Sequence, residues 1–253
     1  MLEEQLSVHP VPGCNTSVYS EDKTPEENFL LCAAAVKREI PGAKYGLRLM
    51  YHTGSGTEQS DEKAAEIWKD AAKDGDVRAL FALGVLYENG SGVPKDQTKA
   101  LDLYLDAAHR GLIQAKRRAG MIFEEGIGFD VSFGDALRWF REAADEGDCL
   151  SLFEIGWITY FGYGCAASEK EAERLIMRSI EDGALIILER EARNGNPYLQ
   201  LRLGFLYEMG WGVEQSVFRA LVWYTGAKIL GLKKADEMVA RMEVHLRGCS
   251  VDS

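Results

Sequence analysis

The side chains that could perform chemistry are few, and they are widely spaced along the chain. The four histidines lie far apart in the sequence, at His9, His52, His109 and His245. His52 falls near predicted surface acids, where an imidazole could act as a general base or a ligand, and a surface histidine is the simpler interpretation. Glu124 and Glu125 are adjacent, but neighbouring helix residues diverge by about 100° and do not share a site by default. A hydrolase-like enzyme therefore stays an alternative hypothesis only.

Sequence motifs of the common catalytic and cofactor sites do not occur in the chain. The glycine pairs lack the third glycine and the preceding strand of a dinucleotide fingerprint, and no glycine-rich loop ends in Lys-Ser or Lys-Thr. Neither G-x-S-x-G nor H-E-x-x-H is present. We therefore predict a protein that is not an enzyme and that needs no cofactor and no metal.

The chain is acidic and has the composition of a globular protein. It has 253 residues, of which 46% are hydrophobic, and its 40 acidic and 29 basic side chains give a net charge of -11. Such a surface repels nucleic acid and favours a basic protein partner. No apolar run reaches the ~20 residues of a membrane span, and the N-terminus lacks the pattern of a secretory signal. We therefore expect a cytoplasmic protein that does not bind membranes.

The cysteines suggest neither a disulfide framework nor a zinc site. They are odd in number and show no C-x-x-C motif and no regular spacing: Cys14, Cys32, Cys149, Cys165 and Cys249. We expect them to be reduced thiols.

Glycine pairs separated by one residue recur along the chain at a nearly constant interval. Successive pairs are 36, 36, 36 and 48 residues apart: Gly54/Gly56, Gly90/Gly92, Gly126/Gly128, Gly162/Gly164 and Gly210/Gly212. Two further series keep the same intervals, one of glycines from Gly75 and one of alanines from Ala64. Three series in one register indicate a tandem repeat.

Each repeat contains two short helices, which we call helix A and helix B. In the second repeat, Ala79, Leu83 and Tyr87 mark the packing side of helix A at helical spacing. The Gly-x-Gly pair connects helix A to helix B, and a later glycine ends helix B. Small residues such as Gly84 let neighbouring backbones approach closely, while an aromatic residue of helix B, here Tyr104, fills the layer between them.

We predict five repeats between two capping half-repeats, in one domain over residues 23–247. The repeats span about 41–76, 77–112, 113–148, 149–196 and 197–232, and the C-terminal cap spans 233–247. Thr24, Pro25 and Glu27 give the N-terminal half-repeat a helix start with a capping box. Residues 1–22 should form a flexible arm, and residues 248–253 should form a tail.

The fourth repeat is twelve residues longer than the others. The additional segment lies between Gly183 and Gly195, and its length corresponds to about three helical turns. It either lengthens the preceding helix or adds a short one. It is either a tolerated insertion or a change of curvature that shapes a binding site.

The second repeat shows the pattern most clearly. Its pattern residues are Ala79, Leu83, Gly84, Tyr87, Gly90, Gly92, Val93, Lys99, Ala100, Tyr104, Ala107, Ala108 and Gly111. They resemble the Sel-one-like repeat (SLR) family, which is related to the tetratricopeptide repeat. The fourth repeat departs most, with Ser151, Ile155, Thr159, Ser179 and Ile180 at pattern positions. The resemblance covers about residues 24–247, and it implies a right-handed α/α solenoid that binds proteins.

The resemblance also implies a binding surface, because one side of helix A lines the concave face of such solenoids. That side carries three rows: Tyr45, Phe81, Arg117, Phe153 and Leu201; Leu49, Val85, Met121, Trp157 and Phe205; His52, Glu88, Glu124, Tyr160 and Glu208. From these rows we predict ten partner-binding residues: Tyr45, Phe81, Glu88, Arg117, Glu124, Phe153, Trp157, Tyr160, Phe205 and Glu208. Tyr163 and Trp211 should be exposed at the same edge. Alternatively, Val85, Met121 and Phe205 belong to the core.

We predict that the chain is a non-catalytic scaffold or adaptor that holds a protein or peptide in the concave groove. The first alternative is an acidic inhibitor or immunity-type protein that masks a basic toxin or enzyme, because the charge of -11 would steer it to a positive surface. The second alternative is the hydrolase-like enzyme. We expect a monomer, with a homodimer through the end helices as the other option.

Overall fold

The computed structural model describes residues 23–38, 40, 43–126, 128 and 130–249, and the regular structure of these residues is entirely helical. Their thirteen helices are α1 (Pro25–Lys37), α2 (Ala43–Thr53), α3 (Asp61–Lys73), α4 (Val77–Asn89), α5 (Gln97–His109), α6 (Ile113–Glu125), α7 (Phe133–Asp145), α8 (Cys149–Phe161), α9 (Glu169–Glu181), α10 (Ala184–Arg193), α11 (Pro197–Met209), α12 (Val217–Ile229) and α13 (Lys234–Cys249). The predicted arm, 1–22, and residues 250–253 of the predicted tail lie outside the described residues.

Polar side chains begin most of these helices at the positions that the repeat fixes. Asp76 precedes helix A of the second repeat, and its carboxylate accepts the backbone N–H groups of Arg78 and Ala79. The capping box predicted at Thr24 is present, since Thr24 and Glu27 exchange side-chain-to-backbone hydrogen bonds. Such caps satisfy N–H groups that have no partner inside the helix.

The second glycine of each Gly-x-Gly pair lies against a helix of the preceding repeat. Gly92 has a φ of +67°, in the left-handed region, and a Cβ there would overlap the carbonyl oxygen of Asp61 at the start of α3. Both the backbone conformation and the close approach therefore require glycine. The turn between helices A and B thus also anchors each repeat to its predecessor.

Consecutive helices pack in chain order within α1 to α6 and within α7 to α13, which is the organisation of an α/α solenoid. The A-helices are α2, α4, α6, α8 and α11, and the B-helices are α3, α5, α7, α9 and α12. Helix B packs against helix A of the same repeat in the first, second, fourth and fifth repeats. The cap α1 packs against α2, and the cap α13 packs against α12. The predicted fold class is therefore confirmed.

The chain divides into two compact units, Met1–Val131 and Ser132–Ser253. Unit 1 contains α1 to α6, and unit 2 contains α7 to α13. The third repeat is divided between them, because α6 belongs to unit 1 and α7 to unit 2. The single domain over residues 23–247 stays a prediction.

An aromatic side chain of helix B packs directly onto a glycine of helix A. Tyr104 and Tyr224 are fully buried, and their rings lie so close to Gly84 and Gly204 that a Cβ would come within 2.6 and 2.5 Å of ring atoms. In the fourth repeat, the Cγ1 atom of Ile176 occupies the corresponding place. The packing role predicted for the small residues and the aromatic layer is confirmed at these positions.

The additional segment of the fourth repeat forms a separate helix, α10, and does not lengthen α9. Gly183 separates the two helices with a φ of +96°. Ala184, Leu188 and Ala192 of α10 are fully buried, and α10 packs against α11 and also contacts α8 and α9. At the C-terminus, α13 continues to Cys249, two residues beyond the predicted end of the cap.

The described residues also bear on cysteine pairing and on membrane insertion. No disulfide bond joins any two of Cys32, Cys149 and Cys165. Among the helices described, none combines the length and the apolar character that a membrane span requires.

Replacing Gly204 with alanine should destabilise the protein by about 1–3 kcal/mol, because the added methyl group would overlap the ring of Tyr224. The matched control is Gly134→Ala in α7, where no atom lies within 4 Å of the added Cβ. The control should be neutral or stabilising by up to about 1 kcal/mol, because alanine reduces the freedom of the unfolded chain. Urea unfolding followed by circular dichroism measures both, and equal midpoints for the two variants would contradict the packing argument.

Candidate functional site

The candidate site consists of the three rows on the A-helices. Within one helix the row positions are separated by four and three residues, as at 81, 85 and 88 of α4. This spacing places the three side chains on one stripe beside the packing positions 79, 83 and 87. The exposure of this stripe differs between the two units.

In unit 1 the stripe stays accessible on α4 and α6. The row residues of these two helices are all half-buried: Phe81, Val85, Glu88, Arg117, Met121 and Glu124. The ring of Phe81 lies 5.3 Å from that of Tyr104, so part of its surface rests on the core. The side chain of Tyr45 lies outside the described residues. Unit 1 therefore presents both apolar and charged groups along two helices.

In unit 2 the same stripe is closed by aromatic packing. The ring centroid of Phe205 lies 5.1 Å from Trp157, 4.9 Å from Tyr160 and 5.4 Å from Trp211, in edge-to-face arrangements. Phe153, Trp157 and Phe205 are at most 2% exposed. These three predicted partner-binding residues are therefore core residues, and their side chains cannot contact a partner in this structure. The exposure predicted for Trp211 is also wrong, because its ring completes this cluster.

A lysine of the C-terminal cap enters the aromatic cluster. The ammonium group of Lys234 lies 5.3, 5.0 and 4.7 Å from the ring centroids of Trp157, Phe161 and Tyr163. It also donates a hydrogen bond of 3.2 Å to the hydroxyl oxygen of Tyr163. Tyr163 is half-buried as a result. Cation–π attraction thus holds α13 against α8, and the sequence analysis missed this contact.

Two glutamates that are predicted to contact a partner, Glu88 and Glu208, bind groups within the fold. The hydroxyl of Tyr104 donates to Glu88 at 2.7 Å, and the guanidinium of Arg118 in α6 also binds Glu88, with its Nε at 3.1 Å. Unit 2 repeats this arrangement. There Glu208 accepts from Tyr224 at 2.6 Å and from Arg241 of α13 at 2.6 Å. Glu88 and Glu208 therefore link three successive helices each. Glu124 is half-buried.

Burial sets the titration behaviour of the tyrosines in these networks. It raises the pKa of Tyr104, because the phenolate would be desolvated. Burial and the nearby carboxylate of Glu208 both raise the pKa of Tyr224, because its phenolate would be desolvated and also repelled. Burial and the carboxylates of Glu169 and Glu208 also raise the pKa of Tyr160, which stays half-buried.

The histidine that suggested catalysis forms a pair with a carboxylate. His52 Nδ1 lies 2.7 Å from the Asp61 carboxylate, and both side chains are about one-third exposed. Asp61 begins α3, so the pair joins helices A and B of the first repeat. At the same corner of the second repeat, Gln97 donates to the carbonyl oxygen of Glu88 at 3.5 Å. This equivalence favours a structural role for His52. In the part of the chain described, no three His, Cys, Asp or Glu residues could together hold a metal ion.

A buried ion pair joins the A-helices of the fourth and fifth repeats. Arg202 Nε lies 2.9 Å from Glu154 Oε2, and the two side chains are only 5% and 7% exposed. The guanidinium carbon of Arg202 also lies 3.8 Å from the ring centroid of Trp157. The sequence-based predictions did not include this pair, although the sequence contains a signal for it. Glu154 and Arg202 have opposite charges and occupy equivalent positions of their repeats, where the second repeat has Ala82.

Repeated pairs of short helices, with small residues at their contacts, define an α-solenoid repeat protein. The family model for the Sel1 repeat matches residues 43–76, 77–112, 113–148 and 197–231, which is more than half of the chain. The chain therefore belongs to the Sel1 repeat family, which is generally non-catalytic. Residues 149–196, where the sequence pattern departs most, are not among the matched segments.

The solved structures with TM-scores above 0.5 show the same fold. A Sel1 repeat protein from Oxalobacter formigenes is 26% identical, with a TM-score of 0.57 over 84% of each chain. The protective antigen c5321 of uropathogenic Escherichia coli, which displays an SLR fold, is 24% identical with a TM-score of 0.57, over 87% of this chain and 44% of that one. The immunity protein Pa5087 of Pseudomonas aeruginosa is 24% identical with a TM-score of 0.40, over 71% and 62%. No curated protein matches the sequence.

Breaking the buried ion pair with Arg202→Met should cost about 3–5 kcal/mol, because it leaves the Glu154 charge buried without its partner. The double variant Arg202→Met with Glu154→Leu should recover much of that loss. The control is Arg193→Met, which breaks an equally short but exposed pair with Glu189 and should cost less than about 1 kcal/mol. Urea unfolding measures all three. A single variant as stable as the control would contradict the importance of the pair.

Stability should fall when the pH rises above about 10, the ordinary pKa of tyrosine. The unfolded chain loses the protons of Tyr104 and Tyr224 there, while the folded chain keeps them, so their stabilising contribution is complete below that pH and decreases above it. The variant Tyr224→Phe should lose less stability than the wild type between about pH 8 and about pH 11. Urea unfolding across this range measures the effect, and parallel curves would contradict it.

Proposed function

We propose that the chain is a non-catalytic scaffold that binds a protein or peptide along the row residues of α4 and α6. One observation carries this proposal. The same rows are closed by aromatic packing in unit 2 and half-exposed in unit 1. Side chains that the fold does not need to bury completely are available to a partner.

The chemistry of this surface defines the segment that it would accept. Phe81, Val85 and Met121 offer apolar surface, and Arg117 and Glu124 place both signs of charge beside it. Interfaces commonly combine apolar anchors with a polar rim of this kind. A segment with one or two apolar side chains and flanking polar groups fits these rows on the side of the A-helices that is predicted to line the concave face.

A second candidate function is inhibition of a basic protein. The observation that favours it is the excess of eleven negative charges, which would accelerate association with a positive surface. The two candidates differ in their response to salt. An inhibitor of this kind should lose association rate steeply as salt rises, whereas a scaffold held by apolar anchors should change little.

The variant Met121→Lys should weaken capture of the native partner by at least about tenfold, because it forces an unpaired charge into the proposed contact. The matched control is Val131→Lys, which makes the same kind of change at an exposed apolar residue outside the rows. Tagged proteins are compared by quantitative mass spectrometry of the captured proteins at low and high salt. Circular dichroism checks that both variants are folded.

Loss of one captured protein in Met121→Lys alone would support the proposal. Equal capture by wild type and both variants would contradict it. Capture that disappears at high salt in all three proteins would favour the inhibitor.

A further inference from the structure

The outward face of α12 carries a row of exposed apolar side chains. Phe218, Val222 and Ile229 are 68%, 53% and 78% exposed. Their spacing of four and seven residues places them on one side of the helix, opposite the buried Ala220, Tyr224 and Ala227. The row extends over about 16 Å, or three helical turns. We call these three residues the α12 face.

The other repeats show that this apolar face is not required by the fold. The corresponding positions of the four other B-helices are exposed and hold only polar residues or glycine: Glu62, Glu66 and Lys73 in α3; Thr98, Asp102 and His109 in α5; Gly134, Arg138 and Asp145 in α7; Lys170, Arg174 and Glu181 in α9. The solenoid thus forms with polar groups at these positions. Three large apolar residues on α12 expose surface to water without contributing to the core.

The charge around the α12 face is also unlike the rest of the chain. Residues 215–235 contain four basic residues and no acidic residue, whereas the whole chain has 40 acidic residues among 253. Lys228 pairs with Asp236 at 2.9 Å, and Lys234 lies in the aromatic cluster. Arg219, next to Phe218 in the sequence, and Lys233, four residues after Ile229, are both exposed, and the guanidinium carbon of Arg219 lies 5.5 Å from the ring centroid of Tyr207. An apolar row with a basic rim therefore stands on an acidic protein.

We propose that the α12 face docks an acidic amphipathic helix of a protein partner. The row is one side chain wide and three turns long, which matches the apolar stripe of a single helix. Carboxylates flanking that stripe would meet Arg219 and Lys233. An anionic bilayer fits less well, because its extended negative potential would oppose the charge of the whole chain. The α12 face lies in unit 2, so it gives a scaffold a second docking surface besides the rows on α4 and α6.

The test uses three fluorescent peptides of about 18 residues, which form about five helical turns. The first has leucines at helical spacing and glutamates on its other face, the second replaces each glutamate with lysine, and the third replaces each leucine with glutamine. The protein variant is Phe218→Thr/Val222→Asp/Ile229→His, which installs the residues that α5 carries at these positions. Because the repeat already accepts these residues, the variant should fold, and circular dichroism checks this.

The wild type should bind the acidic peptide at least about tenfold more tightly than either other peptide, and the triple variant should lose this preference. The control Met121→Lys should retain it, so failure of this proposal and failure of the proposed function are distinguishable. Equal affinity for the acidic and basic peptides, or unchanged affinity in the triple variant, would overturn the proposal. Binding to phosphatidylserine vesicles would also overturn the proposal if only the triple variant loses it. A dimer in sedimentation velocity that only the triple variant abolishes would overturn it as well.

Discussion

The second and fifth repeats depend on the need to bury an aromatic ring against backbone and still satisfy its hydroxyl group. Tyr104 places its ring on Gly84, and its hydroxyl then ends inside the helix layer, where Glu88 accepts its hydrogen bond. The glutamate in turn binds Arg118 of the next A-helix. Tyr224, Glu208 and Arg241 repeat this chain of contacts at the C-terminal end. One buried hydroxyl group therefore links a repeat to its successor. Where helix B carries Ile176 and no tyrosine, the glutamate position holds Tyr160.

Local steric conditions explain why most of the fold can be predicted from the sequence. Gly92 meets such a condition, and its equivalents follow at intervals of 36, 36 and 48 residues, so the spacing alone reveals two helices and a turn. The capping box at Thr24 is similarly local. The sequence does not decide whether the twelve additional residues lengthen α9 or form a separate helix, because a helical pattern continues on both sides of Gly183 and does not show whether that glycine interrupts it.

Burial in the rows could not be predicted in the same way. Val85 and Trp157 occupy equivalent positions, yet one is half-exposed and the other is buried. The helical period gives the direction of a side chain but not the distance of the neighbouring helix. Trp157 is covered because Phe205, Arg202 and Lys234 all reach it from later helices. A charged side chain such as Arg202 is ordinarily exposed, and the pairing with Glu154 makes its burial possible.

The helix α10 also shows where this architecture can be cut and joined. It begins directly after Gly183, which occupies its N-cap position without a capping side chain, and it ends before Gly195, which is followed by the capping residue Asn196. Removal of residues 184–195 would join Gly183 directly to Asn196, in the same way that Gly75 precedes the capping residue Asp76. The exchangeable module is thus a single helix with its terminal glycine, which is smaller than the repeat. A chain built this way can grow by half a repeat and still offer the next helix an intact start.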